Sequence, residues 1–178
     1  TVCQYDTPFI INGFSPANGT WTGSGISNSN TGQFNPGSVV PGTYDVIYTI
    51  GSGTCERSDT TSILIVPTPN VEAGNNITIC ADSTAFTLTG NSPANGVWSG
   101  TGITDVNAGV FDPQVAGAGT HAITYTYFEP INDCQNSDTR TIRINPLPIV
   151  TVPNTAQECI SDDNVALSGY SPAGGTWT

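Results

Sequence analysis

Short stretches of alternating apolar and polar residues recur along this chain of 178 residues. FIING, from Phe9, and FTLTG, from Phe86, alternate apolar with small or polar residues, which predicts short half-buried strands. The longest runs, GTYDVIYTI from Gly42 and GTHAITYTYF from Gly119, are followed by TTSILIV and TRTIRIN, which predict the second arm of a hairpin. No apolar period of about 3.6 residues persists for three turns. We therefore predict β-strands and no substantial helix.

One turn with a tryptophan behind it is written three times. SPANGTWTGSGI begins at Ser15, SPANGVWSGTGI at Ser92 and SPAGGTWT at Ser171. Pro and Asn-Gly supply the bend, and the later glycines allow the backbone to adopt positive φ. An aromatic residue that recurs at a structural period anchors a core more often than it binds sugar. We therefore place Trp21 and Trp98 in the interior.

These stretches belong to a repeat of about 78 residues. The tryptophans at 21, 98 and 177 are separated by 77 and 79 residues, and the cysteines at 3, 80 and 159 show the same spacings. Stiff Pro-x-Pro stretches, PTPNV and PLPIV, fall between the units. We predict one repeat over 1–66 that lacks its first strand, a complete repeat over 67–145, and the start of a third over 146–178.

The fold class follows from the strand pattern within one unit. About six or seven short strands with regular turn signals in fewer than about 80 residues are typical of an immunoglobulin-type sandwich. The prediction is an all-β chain of tandem immunoglobulin-like antiparallel β-sandwich domains.

The five cysteines fall into two pairs and a remainder. The repeat predicts disulfides Cys3–Cys55 and Cys80–Cys134, each stapling one end of its own sandwich, with Cys159 paired beyond the last residue. Closing a loop of roughly 50 residues would stabilise a unit by about 4 kcal/mol. Zinc ligation is disfavoured because no cysteines lie two to four residues apart beside histidines. Disulfides also predict export to an oxidising compartment.

The net charge of the chain limits the classes of partner that it can bind. The net charge is −11, from 14 acidic residues against three arginines and no lysine. This balance opposes binding to DNA, RNA or an anionic membrane, and it suits a soluble extracellular surface. No apolar run reaches the roughly 18 residues that a membrane helix needs.

The residues that could carry chemistry are few. His121 is the only histidine, and its counterpart in the first unit is Tyr44, so we expect a surface or half-buried structural residue. Asp105 and Asp112 correspond to asparagines and are interpreted as turn-formers. A catalytic site needs a cluster of unlike, cooperating groups, and none is visible. We expect no enzyme and no cofactor.

Bound calcium is the alternative to the expectation that the chain has no cofactor. Asp and Asn oxygens are suitable hard ligands at Asp105 and Asp112. A second version places the ion between domains, on the acidic residues near the Pro-x-Pro stretches, namely Glu72, Glu158 and Asp162.

The complete repeat contains, in this order, C…F-x-L-x-G-x-SPA-G-x-W-x-G-x-G-I, F-D-P, GAGTHAITYTYF, C and TIRI. This series of motifs resembles the immunoglobulin-like repeats of giant Bacteroidetes cell-surface proteins. That group includes the gliding-motility adhesins of flavobacteria, exported by type IX secretion. The resemblance implies a structural stalk or filament of a large secreted adhesin, serving adhesion or gliding and associated with the bacterial outer membrane. It implies partners at the membrane secretion and motility machinery, with a surface polysaccharide or solid substratum bound by other parts of the chain. It also implies O-glycosylation at Asp-Ser or Asp-Thr sequences, here at Thr60 and Ser83.

A competing hypothesis is a carbohydrate-binding accessory module of an exported polysaccharide-degrading enzyme. Such a module needs exposed aromatic residues that are not part of the repeat pattern. The candidates are Tyr5, Phe14, Tyr127 and Phe128.

Overall fold

The computed structural model describes residues 1–152 and 169–176, and these form short strands joined by tight turns. The predictions on Glu158, Cys159, Asp162 and Trp177 fall outside the described residues. The elements are β1 (Val2–Cys3), β2 (Phe9–Ile10), β3 (Thr20–Thr22), β4 (Ile26–Asn28), β5 (Gln33–Phe34), β6 (Gly42–Ile50), β7 (Arg57–Val66), β8 (Ile77–Cys80), β9 (Phe86–Thr87), β10 (Val97–Ser99), β11 (Ile103–Asp105), β12 (Val110–Phe111), α1 (Pro113–Ala116), β13 (Gly119–Phe128) and β14 (Gln135–Asn145), with 3-10 turns at Pro36–Ser38 and Gly53–Cys55.

The sheets occur twice with one topology. Within residues 1–66, called repeat one below, the strand orders are β1-β7-β6-β3 and β2-β5-β4. Within residues 67–145, called repeat two, they are β8-β14-β13-β10 and β9-β12-β11. Each repeat therefore pairs a four-stranded with a three-stranded sheet, the strand count of a small immunoglobulin-type sandwich. The boundaries themselves, and the third repeat, stay predictions.

Each repeat buries one core between its two sheets. In repeat two, Trp98 and Tyr125 from the four-stranded sheet meet Phe111 from the three-stranded sheet in one buried cluster. In repeat one the corresponding cluster contains Trp21 and the counterparts of the other two residues. Trp21 is 4% and Trp98 2% exposed. The all-β sandwich class and the interior position of both tryptophans are confirmed.

A tyrosine hydroxyl explains why the SPANG turn and the tryptophan occur together in each repeat. The hydroxyl of Tyr125 donates to the Pro93 carbonyl at 2.6 Å and accepts from the Gly96 amide at 2.7 Å. The ring of Tyr125 lies 4.7 Å, between centroids, from that of Trp98. In repeat one, Tyr48 makes the same two bonds to the equivalent turn. The turn is thus fastened to the core by a buried polar group whose hydrogen bonds are satisfied.

One strand pair in each repeat is parallel, whereas the others are antiparallel. β8 runs parallel to β14, and its last residue, Cys80, pairs with Asn145 at the end of β14. β1 runs parallel to β7 in the same way, with Cys3 opposite Val66. In each repeat the strand that carries the cysteine, β1 or β8, therefore ends beside the last residue of that repeat, which decides where the cysteines lie.

Candidate functional site at the repeat junction

A disulfide joins the two repeats. Cys3 of repeat one is bonded to Cys134 of repeat two, with 5.7 Å between their Cα atoms, and the two cysteines are 131 positions apart in the sequence. Cys134 is fully buried and Cys3 is half-buried. The bond adds a second covalent connection between units that the polypeptide already links.

The predicted pairs Cys3–Cys55 and Cys80–Cys134 are therefore wrong. Cys80 lies beside the last residue of β14, whereas Cys134 directly precedes its first residue. β14 has 11 residues, so at about 3.3 Å per residue the two cysteines are separated by roughly 35 Å. A disulfide needs Cα atoms about 4.4–6.8 Å apart. Cys3 and Cys55 lie at opposite ends of β7 for the same reason.

Hydrogen bonds hold the polypeptide linker beside the disulfide. The amide of Gln4 donates to the carbonyl of Val66, the last residue of repeat one, at 2.9 Å. Across the junction, the side-chain amide of Asn136 donates to the Pro69 carbonyl in the linker at 2.9 Å. Gln4, which follows Cys3, and Asn136, two residues after Cys134, are thus both hydrogen-bonded to the chain between residues 66 and 69.

The loop before Cys134 is closed upon itself. The amide of Glu129 donates to the Cys134 carbonyl at 2.7 Å, and the amide of Asp133 donates to the Glu129 carbonyl at 3.0 Å. Asp133 has a φ of 56°, a left-handed conformation that Asp tolerates better than most residues. This loop presents Cys134 to the neighbouring repeat.

Cys55 and Cys80 are exposed thiols. Cys55 corresponds by the spacing of 79 to Cys134, and Cys80 corresponds by the spacing of 77 to Cys3. Each therefore occupies a position whose counterpart forms the bond between repeats.

Two charged side chains of β14 fix the start of repeat two. Oδ2 of Asp138 accepts from the Ala73 amide at 2.8 Å, and Nη1 of Arg140 donates to the carbonyls of Ala73 and Thr89 at 3.3 and 3.0 Å. The hydrogen bond from Ala73, followed by one from Thr139, holds the pKa of Asp138 below its usual range. Burial lowers the pKa of Arg140, which is 5% exposed. The repeat pattern gives no sign of this pair, because the counterpart of Arg140 is a threonine.

A cleft of about 360 Å³ lies in repeat one, beside the buried tryptophan. Phe14, Trp21, Tyr48 and Asp59 contribute to its lining. Asp59 is the counterpart of Asp138, which is bonded to Ala73 in repeat two. The cleft therefore lies at the position that residues 71–73 occupy in repeat two, where they cover the core. Its aromatic lining is thus the side of a sandwich core, and it does not by itself indicate a sugar site.

The four aromatic candidates for sugar binding differ in exposure. Tyr5 and Phe128 are exposed, while Tyr127 packs against the core of repeat two. Phe14 is 37% exposed and lies edge-on to Trp21, with ring centroids 5.4 Å apart. Tyr127 and Phe128 are adjacent on β13 and so point to opposite faces of its sheet.

The two candidate glycosylation sites also differ. Thr60 is exposed on β7, and its amide donates to Oδ1 of Asp59 at 2.9 Å. Ser83 is half-buried in the turn after β8, where its amide donates to the Cys80 carbonyl at 3.1 Å. Thr60 is therefore the more accessible acceptor, and modification at either site stays a prediction.

The single histidine has a structural partner. Nε2 of His121 lies 2.9 Å from the Gly117 carbonyl, and since a carbonyl only accepts, Nε2 carries the proton. The hydroxyl of Tyr44, the counterpart of His121, donates to the Val40 carbonyl at 2.8 Å. His121 is half-buried, as predicted, and both side chains fasten the start of a long strand.

The two aspartates proposed as turn-formers are confirmed in that role. Oδ1 of Asp105 accepts from the amides of Asn107 and Ala108 at 3.0 and 2.9 Å. Oδ1 of Asp112 accepts from the Gln114 amide at 2.8 Å and caps α1.

The part of the chain that the structure describes contains no group of three or more His, Cys, Asp or Glu residues arranged to hold a metal ion. Among those same residues, no helix is long and apolar enough to cross a membrane.

Comparison with known proteins gives structural likeness without a family. No family model matches the sequence, and no curated protein matches it. Among solved structures, the chain resembles Drosophila N-cadherin EC1-3 with a TM-score of 0.33 at 10% identity, over 82% of this chain and 64% of that one. It resembles human protocadherin-24 EC1-2 with a TM-score of 0.28 at 8% identity, over 83% of this chain and 94% of that one. The chain thus spans less than two thirds of the Drosophila chain, and likeness this weak supports no argument about function.

Proposed function

We propose that this chain is a repeat segment of a large secreted bacterial surface adhesin, in which it forms part of a stalk or filament for adhesion or gliding motility. The Cys3–Cys134 disulfide carries this proposal, because it ties consecutive sandwiches together instead of stabilising one of them. A bond of this kind is useful in an array that transmits force, and it requires an oxidising compartment outside the cytoplasm. On this proposal the chain is not an enzyme, and it acts at the bacterial cell surface, associated with the outer membrane.

The geometry of the junction suits a spacer. A short Pro-x-Pro linker is semi-rigid, and the disulfide beside it restricts bending between the repeats. Each sandwich would add roughly 35–45 Å, from strands of about eight to eleven residues at about 3.3 Å each plus loops. A series of such units holds another part of the protein at a distance from the cell.

The partners follow from this role. A surface polysaccharide or solid substratum would be bound by other parts of the full-length protein, and the secretion and motility machinery of the outer membrane would hold its base. Nucleic acid is not a partner, since a net charge of −11 repels phosphate.

The test uses the full-length protein in the bacterium that makes it. Antibodies against residues 1–145 are applied to intact cells, and attachment to polysaccharide-coated glass is measured with and without Cys3→Ser/Cys134→Ser. We expect surface labelling in both strains and weaker attachment under flow in the variant, with Tyr5→Phe, at an exposed residue, as the matched control. Absence of surface labelling, or release of a short protein with hydrolase activity, would overturn the proposal.

The second candidate function, a carbohydrate-binding module, rests on the partial exposure of Phe14 at the cleft of repeat one. It predicts that the purified chain binds a polysaccharide and that Phe14→Ala abolishes binding while the fold is retained. Ile131→Ala, at a residue 86% exposed and outside the four aromatic candidates, is the control for a general loss of exposed apolar surface. Equal binding of both variants and the unmodified chain would remove this candidate.

A further inference from the structure

We propose that Cys80 and Cys55 form further disulfides between repeats, one on each side of the observed bond. Cys80 would bond to the counterpart of Cys134 in a following repeat, and Cys55 to the counterpart of Cys3 in a preceding repeat. Every junction of the array would then carry a disulfide, and the closed loops would overlap along the chain. The inference rests on the tandem-array part of the proposed function and not on adhesion.

Cys80 has the same backbone surroundings as Cys3. Each is the final residue of a strand, β1 or β8, that runs parallel to the last strand of its repeat. The residue after each, Gln4 or Ala81, donates its amide to the last carbonyl of the repeat, at 2.9 and 3.0 Å respectively. The carbonyls of Cys3 and Cys80 each accept from the amide three residues later, at 3.1 Å. The thiol of Cys80 is thus presented at its end of repeat two as Cys3 is presented in repeat one.

Cys55 lies at the opposite end of its repeat, as Cys134 does. Arg57 pairs with Ile50, and Asn136, the counterpart of Arg57, pairs with Tyr127. Cys55 and Cys134 each lie two residues before that pair, in the turn between the two longest strands. Because Cys134 is buried by its bond to the neighbour and Cys55 is exposed, a neighbour at this end of repeat one would cover Cys55 likewise.

The next junction begins with the same structure as the observed one. Glu72 and Ser92 exchange two backbone hydrogen bonds, at 2.8 and 2.9 Å, just after the first linker. Thr151 and Ser171, each 79 positions later, exchange the same two bonds at 2.9 and 3.0 Å. The linker lengths are equal, since Pro67-Thr-Pro and Pro146-Leu-Pro are also 79 positions apart. A following repeat is therefore expected to meet Cys80 as repeat two meets Cys3.

The chemistry is thiol–disulfide exchange with an external oxidant, either an oxidoreductase disulfide or a small-molecule disulfide. The thiolate of Cys80, having lost its proton, attacks one oxidant sulfur and releases the other as a thiol. The thiolate from the following repeat then attacks the Cys80 sulfur of the mixed disulfide and releases the second oxidant thiol. One protein S–S bond forms, and the oxidant disulfide takes up two electrons and the two thiol protons. Exposure of Cys80 gives the oxidant access.

The experiment lengthens the chain by one repeat. Residues 1–145 are followed directly by a second copy of residues 67–145, so that the linker follows Asn145 as it follows Val66. In the added copy Ile131, which is 86% exposed, is replaced by Val as a mass label. The protein is oxidised with glutathione disulfide, and its remaining thiols are alkylated. It is then digested with trypsin and chymotrypsin, which cut after Arg57, Phe128 and Arg140, so that Cys55 is separated from Cys80 and the label stays on the peptide of Cys134.

We expect two linked peptides: Cys3 bonded to the unlabelled Cys134, and Cys80 of the first copy bonded to the labelled one. Cys80→Ser in the first copy should leave the labelled Cys134 alkylated, whereas Cys55→Ser should leave both bonds in place. If the first bond forms and Cys80 is found alkylated or bonded elsewhere, the inference is overturned and the proposed adhesin function stands. If the first bond is itself missing, the observation that carries both proposals is lost.

Discussion

Gly109 lies against the indole ring of Trp98, and a larger residue does not fit there. A Cβ atom at Gly109 would come 2.5 Å from Nε1 of Trp98, and one at Gly32 would come 2.6 Å from Nε1 of Trp21. Both glycines have positive φ, 68° and 69°. The buried tryptophans were predictable from the repeat, but the glycines that pack against them were not, since a glycine in a turn is more often required by the backbone alone.

Gly109→Ala should therefore destabilise repeat two more than Gly53→Ala destabilises repeat one. Gly53 has a φ of 59°, close to that of Gly109, with no atom within 4 Å of an added Cβ, so its substitution isolates a backbone cost of about 1–2 kcal/mol. Gly109→Ala adds displacement of the Trp98 ring and is expected to cost about 1–3 kcal/mol more. Urea unfolding followed by tryptophan fluorescence measures both. Equal losses would mean that the ring moves aside without cost.

The hydroxyl of Tyr125 gives a second prediction at this scale. Tyr125→Phe keeps the ring against Trp98 but leaves the Gly96 amide and the Pro93 carbonyl without their partner. We expect a loss of about 1–3 kcal/mol in the free energy of unfolding. Tyr5→Phe, at a residue 70% exposed, should change it by less than about 0.5 kcal/mol. A neutral Tyr125→Phe would show that water replaces the hydroxyl.

At the scale of elements, the strands were predictable and their pairing was not. Alternation and turn residues located the long hairpins and the sandwich class, because each strand buries one face. The parallel pairing of β1 with β7 and of β8 with β14 leaves no local sign in two- to four-residue strands. Without it, the spacing of cysteines suggested bonds within a repeat, although Cys80 and Cys134 lie at opposite ends of one strand. Cys3 does bond to a cysteine at the position that the repeat predicts, but this cysteine, Cys134, belongs to the next repeat and not to its own.

The segment that opens repeat two should loosen in acid. Since its hydrogen bonds hold the pKa of Asp138 below the usual range, the folded state gains stability from its carboxylate above that range. This stability is lost as the pH falls through the lowered pKa. We expect protection of the Ala73 amide from hydrogen exchange to fall over that interval, and to be independent of pH in Asp138→Asn, whose side-chain oxygen can still accept from Ala73 but does not titrate.

Asp82→Asn is the control for this measurement, because Asp82 lies in the exposed turn after β8, on another part of repeat two. The control should keep the exchange profile of the unmodified chain. Acid sensitivity at Ala73 that persists in Asp138→Asn would assign the effect to a different group.

At the scale of the whole molecule, the disulfide changes the path that force takes. Tension applied at the two ends enters through Thr1–Cys3, crosses the sulfur bridge and leaves from Cys134 onward. Residues 4–133 lie inside the closed loop and bear none of it through their covalent backbone. Hydrophobic packing and hydrogen bonds in that loop therefore need not resist the load, and small sandwiches of modest stability can serve in a long stalk.

Stretching single molecules by peptide tags at the two termini tests this argument. While the bond is intact, residues 4–133 should not contribute to the extension at any force that leaves covalent bonds whole. After reduction, the chain from Cys3 to Cys134, which are 131 positions apart, should add about 430–470 Å of contour length, at about 3.3–3.6 Å per position. Cys3→Ser/Cys134→Ser should show this length without reductant, and Cys55→Ser should behave as the unmodified chain. Equal contour lengths before and after reduction would mean that the load never passes through the bridge, and the repeats would then have to bear tension through their strands.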